Sequence, residues 1–243
     1  MALHFIDETA GAARVGDAVT LTGAEAHHAA AVRRVRVGEA VTVTDGRGAW
    51  LEGEAESVEP REVVVRITAR RDEDAPRPRL VLAQALAKGD RDELAVQAAT
   101  ELGADEIVPW QAARSVSRWE GPKAEKGRVR WAAIVREAAK QAHRAWLPEV
   151  VPVATTAALA ARAAGERVLV LEPTAETPLT AVDLGDAASI VLVVGPEGGI
   201  SPEELDRLGT AGAVRVRLGD TVLRTSTAGP AALALVNARL GRW

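Results

Sequence analysis

The chain has 243 residues, of which 47% are hydrophobic and 26% charged, and it contains no cysteine. These fractions are typical of a globular protein and exclude a disordered chain, a collagen-like repeat and a coiled-coil rod. The missing cysteine excludes disulfides, a thiol nucleophile and thiolate metal sites. The N-terminus carries Asp7 and Glu8 instead of a basic stretch, and no run of about 18 apolar residues is present, so we expect a cytoplasmic protein without signal peptide or membrane span.

The net charge of −4 is unevenly distributed along the chain. Residues 1–74 carry 9 basic and 14 acidic side chains, net −5, whereas residues 113–144 carry 9 basic and 3 acidic ones, net +6. A local basic surface can bind nucleic acid even on an acidic protein. This basic tract also contains Trp119 and Trp131, whose indoles can stack on unpaired bases. A solvated helix face with tryptophans in the core explains the same pattern equally well.

Short strands and glycine-bearing turns predict a small β-barrel domain over residues 1–72. Strands are expected at 40–44, 49–51 and 62–67, the first two joined by a hairpin turn, and one helical patch at 23–35. Residues 71–78 are charged and contain two prolines, so we interpret them as a linker.

Beyond the linker, strand and helix patterns alternate over residues 78–243, which predicts an α/β domain with a parallel sheet covered on both faces. On the first helix, at 90–102, Leu94, Ala98 and Leu102 share one face. The other expected helices are 127–145, 155–164, 203–210 and 226–240, and the expected strands are 80–86, 107–108, 150–153, 167–171, 190–194 and 214–218.

A glycine-rich turn, Gly-Pro-Glu-Gly-Gly at 195–199, follows a buried strand and precedes a helix start. Ser201 is expected to cap that helix, with Pro202 in its first position and Glu204 completing a capping box. Ligands of open α/β sheets bind at the carboxyl ends of the strands, and glycines let the backbone approach them closely. The turn matches neither the phosphate loop nor the dinucleotide fingerprint. We therefore expect a different small-molecule site here, although an ordinary strand–turn–helix connection has the same pattern.

A second turn, at 218–225, also joins a strand to a helix. Either Thr225, Ser226 and Thr227 cap the helix, or the turn forms a second wall of the same pocket and Arg224 faces an anion or a base. Lys88 and Arg91 stand at another such junction, where they offer charges to an anion or belong to a charged first turn capped by Asp90. The four histidines have no metal-binding spacing, and we expect no metal.

Six motifs in this order identify the chain with a known family. They are residues 86–91, 99–107, 114–116, 137–144, 195–201 and 218–225, and the segment 32–38 fits as well. Together they resemble the RsmE family of bacterial 16S ribosomal RNA (uracil-N3)-methyltransferases over nearly the whole chain.

The resemblance implies an α/β methyltransferase domain of the SPOUT superfamily with a deep trefoil knot, preceded by a PUA-like β-barrel that binds RNA. It further implies a homodimer, S-adenosylmethionine bound within the knot, and methylation of N3 of one uridine in the decoding region of 16S ribosomal RNA in the small ribosomal subunit. Two alternatives stay open: a related SPOUT enzyme acting on a ribose 2′-hydroxyl or on transfer RNA, and a non-catalytic RNA-binding or ribosome-assembly protein.

The resemblance and the strand ends together assign roles to residues. Arg224 is expected to stabilise or position the uracil. The general base is not identified: Glu197 is the nearest carboxylate by motif, and the alternative is that it caps or hydrogen-bonds locally. Ser226 stands where many relatives have glutamate, so only its helix-capping role is carried over. His143 stands where relatives commonly have a small residue, and the resemblance assigns it no role. The expected cofactor-binding residues are Leu171, Glu172, Gly195, Pro196, Glu197, Gly198, Gly199, Ile200, Leu218, Gly219, Val222, Leu223, Thr225 and Thr227. The expected RNA-binding residues are Arg33, Arg34, Arg36, Lys88, Arg91, Arg114, Arg118, Arg128 and Arg144.

Overall fold

The structure, a computed structural model, describes residues 3–243 and divides into two compact units. The N-terminal unit contains the chain up to Ala75 together with Ala139–Leu147. The C-terminal unit contains Pro76–Ala138 and Pro148–Trp243. Residues 139–147 are thus grouped with the N-terminal unit, whereas the sequence predicts a first domain of residues 1–72 alone.

The N-terminal unit is built on a five-stranded mixed sheet in the order β1-β3-β4-β5-β2. Strands β1 and β3 are parallel and the other neighbours antiparallel. A short helix α1 (Gly23–His27) continues into a π-helical turn (His28–Val32), which confirms the expected helical patch but ends it earlier. The strands are β1 (Leu3–Ile6), β2 (Ala18–Thr22), β3 (Ala40–Thr44), β4 (Ala49–Glu59) and β5 (Glu62–Asp72). Alternate side chains of these strands form a buried core.

The expected linker is wrong at its start, because β5 continues through Asp72. Arg71 pairs in register with Trp50 of β4, and its guanidinium lies 4.3 Å from the centre of the indole ring. A stacked cation of this kind stabilises the strand end although the sequence there is charged. The chain outside the strands therefore runs only from Glu73 to Pro78 before β6 begins.

Residues 145–147 complete the hairpin between β3 and β4. Gly48 donates its N–H to the carbonyl of Ala145 at 3.1 Å, and Leu147 donates to the carbonyl of Gly46 at 2.9 Å. A Cβ on Gly48 would lie 2.9 Å from a ring carbon of Trp146, and its φ of 104° lies in the left-handed region. Only glycine fits this position, because a side chain would meet both strain and a clash.

The C-terminal unit contains a six-stranded sheet in the order β11-β9-β10-β6-β7-β8, and every neighbouring pair is parallel. This confirms the expected α/β architecture. The strands are β6 (Arg79–Ala85), β7 (Glu106–Trp110), β8 (Glu149–Val150), β9 (Arg167–Leu171), β10 (Ser189–Val194) and β11 (Val214–Val216). The helices are α2 (Arg91–Glu101), α3 (Pro122–Gln141), α4 (Thr156–Arg162), α5 (Pro202–Thr210) and α6 (Thr225–Arg239), and the last three residues of α3 belong to the N-terminal unit.

Helices cover both faces of this sheet. On one face Leu159 of α4 and Leu208 of α5 join a core with Val191 and Val193. On the other face α6 packs against α2 and β10. The face of α2 shared by Leu94, Ala98 and Leu102 is not its buried one, since Leu94 is 52% exposed. Small side chains such as Ala95 and Ala99 are buried instead, because they allow close helix packing.

Candidate functional site

A cavity of about 400 Å³ opens at the carboxyl ends of β9, β10 and β11 in the C-terminal unit. Its volume falls in the range of small-molecule sites. The two glycine-bearing turns, 195–200 and 218–224, form much of its wall, so the pocket hypothesis for the second turn has structural support. The lining residues are Arg91, Leu171, Glu172, Pro173, Val194, Gly195, Pro196, Glu197, Gly199, Ile200, Val216, Leu218, Gly219, Thr221, Val222, Leu223, Arg224, Thr225 and Ala228.

The structure brings together twelve of the fourteen residues expected to bind a cofactor. Gly198 and Thr227 are the two that do not line the cavity. Arg91, which sequence reasoning assigns to RNA, does line it. Sequence reasoning missed five further residues of the cavity wall. They could have been predicted, because they lie at or beside the same strand ends and turns. They are Pro173, Val194, Val216, Thr221 and Ala228.

The turn 195–200 depends on glycine at two positions. Gly199 has a φ of 73°, which L-residues rarely adopt, and donates its N–H to the carbonyl of Pro196 at 2.9 Å. A Cβ on Gly195 would lie 2.7 Å from Cγ1 of Ile200. The turn is therefore compact, and its backbone stands directly in the pocket wall.

Gly198 faces away from the cavity, toward Arg114 of the segment that follows β7. A Cβ on Gly198 would lie 3.3 Å from Cβ of Arg114. The Arg114 guanidinium donates a hydrogen bond to the Gly198 carbonyl at 3.0 Å. Arg114, expected to bind RNA, is thus in contact with the turn that forms the pocket wall.

Helix α5 begins with the expected capping box. The Ser201 hydroxyl accepts from the N–H of Glu204 at 3.3 Å, the Glu204 carboxylate accepts from the N–H of Ser201 at 3.1 Å, and Pro202 opens the helix. The same carboxylate accepts from the N–H of Ala113 at 2.9 Å and from the Thr156 hydroxyl at 2.8 Å. Glu204 therefore connects α5 to the segment after β7 and to α4.

Helix α6 starts at Thr225 without any side-chain cap, so the expected capping by Thr225, Ser226 and Thr227 is wrong. Thr225 is buried, and its hydroxyl donates to the carbonyl of Gly195 at 2.9 Å while accepting from Nε2 of Gln84 at 2.8 Å. Gln84 lies in β6 beside Val194, so three segments meet under the pocket. A lone polar residue in the apolar run 80–86 was the available signal for Gln84.

Two charged side chains form an ion pair at the cavity wall. The Glu197 carboxylate accepts from the N–H of Lys88 at 3.2 Å and from the Arg91 guanidinium at 3.0 Å. Burial raises the pKa of Glu197, but hydrogen bonds from its own N–H, Lys88 and Arg91 outweigh that effect, so the pKa lies below its usual value. Asp90 occupies the N-cap position of α2 without a capping bond.

Unlike Arg91, which pairs with Glu197, the Arg224 guanidinium has no ion-pair partner among the described residues. The Arg224 side chain is exposed at the cavity wall, and within residues 3–243 no hydrogen bond or ion pair engages its guanidinium. A planar, permanently charged group with free donors is able to bind a carbonyl oxygen or an anion.

The residues expected to bind RNA are spread over both units. Arg33, Arg34 and Arg36 are exposed in the N-terminal unit, just after the π-helical turn. Arg144 lies in the same unit and is half-buried. In the C-terminal unit, Lys88 and Arg91 lie next to Glu197, and Arg114 contacts Gly198. Arg118 donates to the Ala113 carbonyl at 3.4 Å, and Arg128 pairs with Glu125 at 2.6 Å.

The aromatic residues mostly pack inside the units. Trp131 is buried against the ring of Trp119, with the ring centres 5.0 Å apart, so for Trp131 the core interpretation is confirmed. The His4 ring stacks with the rings of Trp50 and His143, at centre distances of 4.7 and 5.2 Å. Among residues 3–243, no three His, Asp or Glu side chains come together as a metal site. Over the same residues, no helix has the length and apolar character needed to cross a membrane.

Comparison with known proteins gives matches over both units. The model of an RNA methyltransferase domain matches residues 73–237, and that of an RNA methyltransferase PUA domain matches residues 21–68. Ribosomal RNA small subunit methyltransferase E of Mycobacterium bovis is 45% identical over 233 residues, covering 94% of this chain and 89% of the relative. That of Bacillus subtilis is 32% identical over 246 residues, covering 98% and 96%.

A solved structure is similar over the same extent. The crystal structure of ribosomal RNA small subunit methyltransferase E from Neisseria gonorrhoeae bound to S-adenosyl methionine has a TM-score of 0.89 and 29% identity, covering 98% of each chain. The family models and this likeness confirm the fold class expected for both units.

Proposed function

The chain belongs to the RsmE family of ribosomal RNA small subunit methyltransferases, and from this premise we propose that it methylates N3 of one uridine in the decoding region of 16S ribosomal RNA. It is an enzyme that uses S-adenosylmethionine to methylate the RNA of the small ribosomal subunit. The observation that carries the proposal is the pocket at the ends of β9, β10 and β11, walled by the two turns whose sequences define the family resemblance.

The residues of this pocket fit S-adenosylmethionine. Apolar side chains such as Leu171, Ile200 and Leu223 offer surfaces for a purine ring, while the turn 195–200 presents backbone groups close to the cavity. The Glu172 carboxylate complements a positively charged group, and Arg91 complements a carboxylate. When bound, the cofactor supplies the electrophilic methyl group.

The chain's own residues have to orient the uracil and handle the N3 proton, because N3–H is only weakly acidic. We assign Arg224 to the uracil, since its free guanidinium at the pocket wall can donate to a base carbonyl and stabilise negative charge that develops on the ring. Glu197 is the carboxylate of the turn itself, but its hydrogen bonds favour the ionised form and make it a weak base. We therefore propose that Glu197 holds Arg91 and the Lys88 turn beside the pocket.

The proposal includes the assembly and the compartment. We propose that two chains form a homodimer and that the N-terminal unit docks on 16S ribosomal RNA through Arg33, Arg34 and Arg36. A ribosomal substrate requires the enzyme to work in the cytoplasm. No metal enters the proposed reaction, because the methyl group and its activation both come from the cofactor.

Mass spectrometry of 16S ribosomal RNA nucleosides tests the reaction. RNA from a strain lacking the gene should lack 3-methyluridine and regain it when the wild-type gene is restored, while Arg224→Ala should restore it poorly. A deletion that removes a 2′-O-methylated nucleoside or a transfer RNA modification would favour a related SPOUT activity. A deletion that changes no nucleoside, with RNA binding intact, would favour a non-catalytic protein.

A further inference from the structure

We propose that Arg114 is a positioning residue of the cofactor pocket, holding the turn 195–200 through the Gly198 carbonyl. This inference rests on the proposed function, because the turn it concerns is the proposed cofactor-binding wall. The basic tract and the family motif both place Arg114 among the RNA-binding candidates, and neither predicts this role.

The contact between Arg114 and Gly198 involves the whole side chain. The guanidinium donates to the Gly198 carbonyl at 3.0 Å. The Cβ, Cδ and carbonyl oxygen of Arg114 lie 3.3, 3.7 and 3.7 Å from the place a Gly198 Cβ would take. Gly198 therefore leaves room for the aliphatic stem of Arg114, and the stem supports the side of the turn that faces away from the cavity. This explains why Gly198 is a glycine although it does not line the pocket.

The segment that carries Arg114 is itself fixed. The N–H of Ala113 donates to the Glu204 carboxylate at 2.9 Å, and the N–H of Ser115 donates to the carbonyl of Ala112 at 3.1 Å. Glu204 belongs to the capping box that follows the turn directly. The segment after β7 thus contacts both the turn and the start of α5. The backbone beside Arg114 is therefore held in place, and its side chain can hold the turn.

The other end of the turn is held separately. Thr225 donates to the Gly195 carbonyl, whereas Arg114 donates to the Gly198 carbonyl. The left-handed Gly199, directly after Gly198, lines the cavity. Loss of the Arg114 bond should therefore loosen the part of the turn from Gly198 to Ile200 while leaving its start in place.

The test compares Arg114→Met, which keeps much of the stem and removes the guanidinium, with Lys126→Met, an equal charge change at an exposed position of the same basic tract. Titration calorimetry with S-adenosylmethionine should show about fivefold to tenfold weaker binding for Arg114→Met, the effect of one lost hydrogen bond. Lys126→Met should bind within twofold of the wild type. Arg114→Lys, which keeps a donor, should recover part of the loss.

A second measurement does not depend on the cofactor. Hydrogen exchange of the Gly199 amide, bonded to the Pro196 carbonyl, should be faster in cofactor-free Arg114→Met than in the wild type or in Lys126→Met. Unchanged cofactor affinity together with unchanged exchange would overturn the inference and leave Arg114 as an RNA contact. A wild-type chain that binds no S-adenosylmethionine would instead overturn the proposed function, and the exchange measurement would still decide the role of Arg114.

Discussion

Gly199 makes the shape of the pocket depend on a single backbone conformation. Its φ of 73° costs an alanine about 1–2 kcal/mol, so in Gly199→Ala the cofactor-free turn should relax to another conformation. Binding must then restore the strained conformation, which should weaken S-adenosylmethionine affinity by about fivefold to thirtyfold. The matched control is Gly209→Ala in α5, where a Cβ meets nothing within 4 Å and alanine favours the helix. Calorimetry on both variants checks this, and equal affinities would remove Gly199 from the binding site.

His4 makes stability depend on pH. Burial, followed by the nearby charge of His143, lowers its pKa to about 4, so the folded chain keeps the ring neutral while the unfolded chain protonates it below 6.5. This contribution is present above pH 6.5 and is lost as the pH falls toward 4, about 3 kcal/mol in all. Urea denaturation at several pH values should show this decline in the wild type and a flatter profile in His4→Phe. Parallel profiles would contradict the prediction.

Single residues also show what the sequence can and cannot predict. Motif and strand-end reasoning found most of the pocket wall, because both turns follow apolar strands and carry unusual residues. It could not find the partner of Gln84, because Thr225 lies 141 positions away in the chain. It also misassigned the caps of α6, because Thr225 turns its hydroxyl toward Gly195 instead of its own helix.

At the scale of elements, the first turn of α5 stabilises neighbouring segments as well as its own helix. Ser201→Ala removes one capping bond and should cost about 1 kcal/mol in the free energy of unfolding. Glu204→Ala should cost more, about 2–4 kcal/mol, because the N–H of Ala113 and the Thr156 hydroxyl lose their acceptor as well. Urea denaturation measures both variants. A Glu204→Ala cost no larger than that of Ser201→Ala would mean that the carboxylate serves its own helix alone.

The order of elements was predictable, and their faces were less so. The alternation of apolar strand patterns with helical ones predicted the parallel sheet, and the capping signals at Ser201 and Glu204 predicted where α5 begins. In α2 the position of the leucines predicted the wrong buried face. The buried face instead contains small residues, which allow α6 to pack closely. The end of β5 was hidden because Arg71 is held by Trp50, a cross-strand partner.

At the scale of the whole molecule, docking on RNA should depend on salt. If Arg33, Arg34 and Arg36 each neutralise one phosphate, replacing all three by alanine should reduce the slope of log affinity against log salt by about 2–3. The triple lysine variant retains the charges and should keep the slope. Binding of a 16S ribosomal RNA fragment across a salt series measures both. If the alanine variant kept the wild-type slope, these three arginines would not contact RNA phosphates.

The proposed homodimer should involve the turn 218–224 at the pocket. Val222 is 77% exposed there, whereas the apolar side chains Leu233 and Val236 of α6 are already buried within the unit. We expect sedimentation of the wild type at twice the chain mass of 25.5 kDa and of Val222→Asp as a monomer. Val15→Asp, an equally polar change at an exposed valine of the N-terminal unit, should remain dimeric. A wild-type monomer with full activity would contradict the assembly.

The grouping of residues 139–147 with the N-terminal unit has a consequence for the order in which the chain folds. During synthesis the strands β1 to β5 leave the ribosome first, but the Ala145 carbonyl that accepts from Thr44 follows 101 residues later. Until then the β3–β4 hairpin lacks the backbone partners of Gly46 and Gly48. Closing so long a loop costs conformational entropy, and the contacts with residues 145–147 offset this cost only after those residues have been synthesised. The N-terminal unit thus matures after part of the C-terminal unit has been made, although it comes first in the sequence.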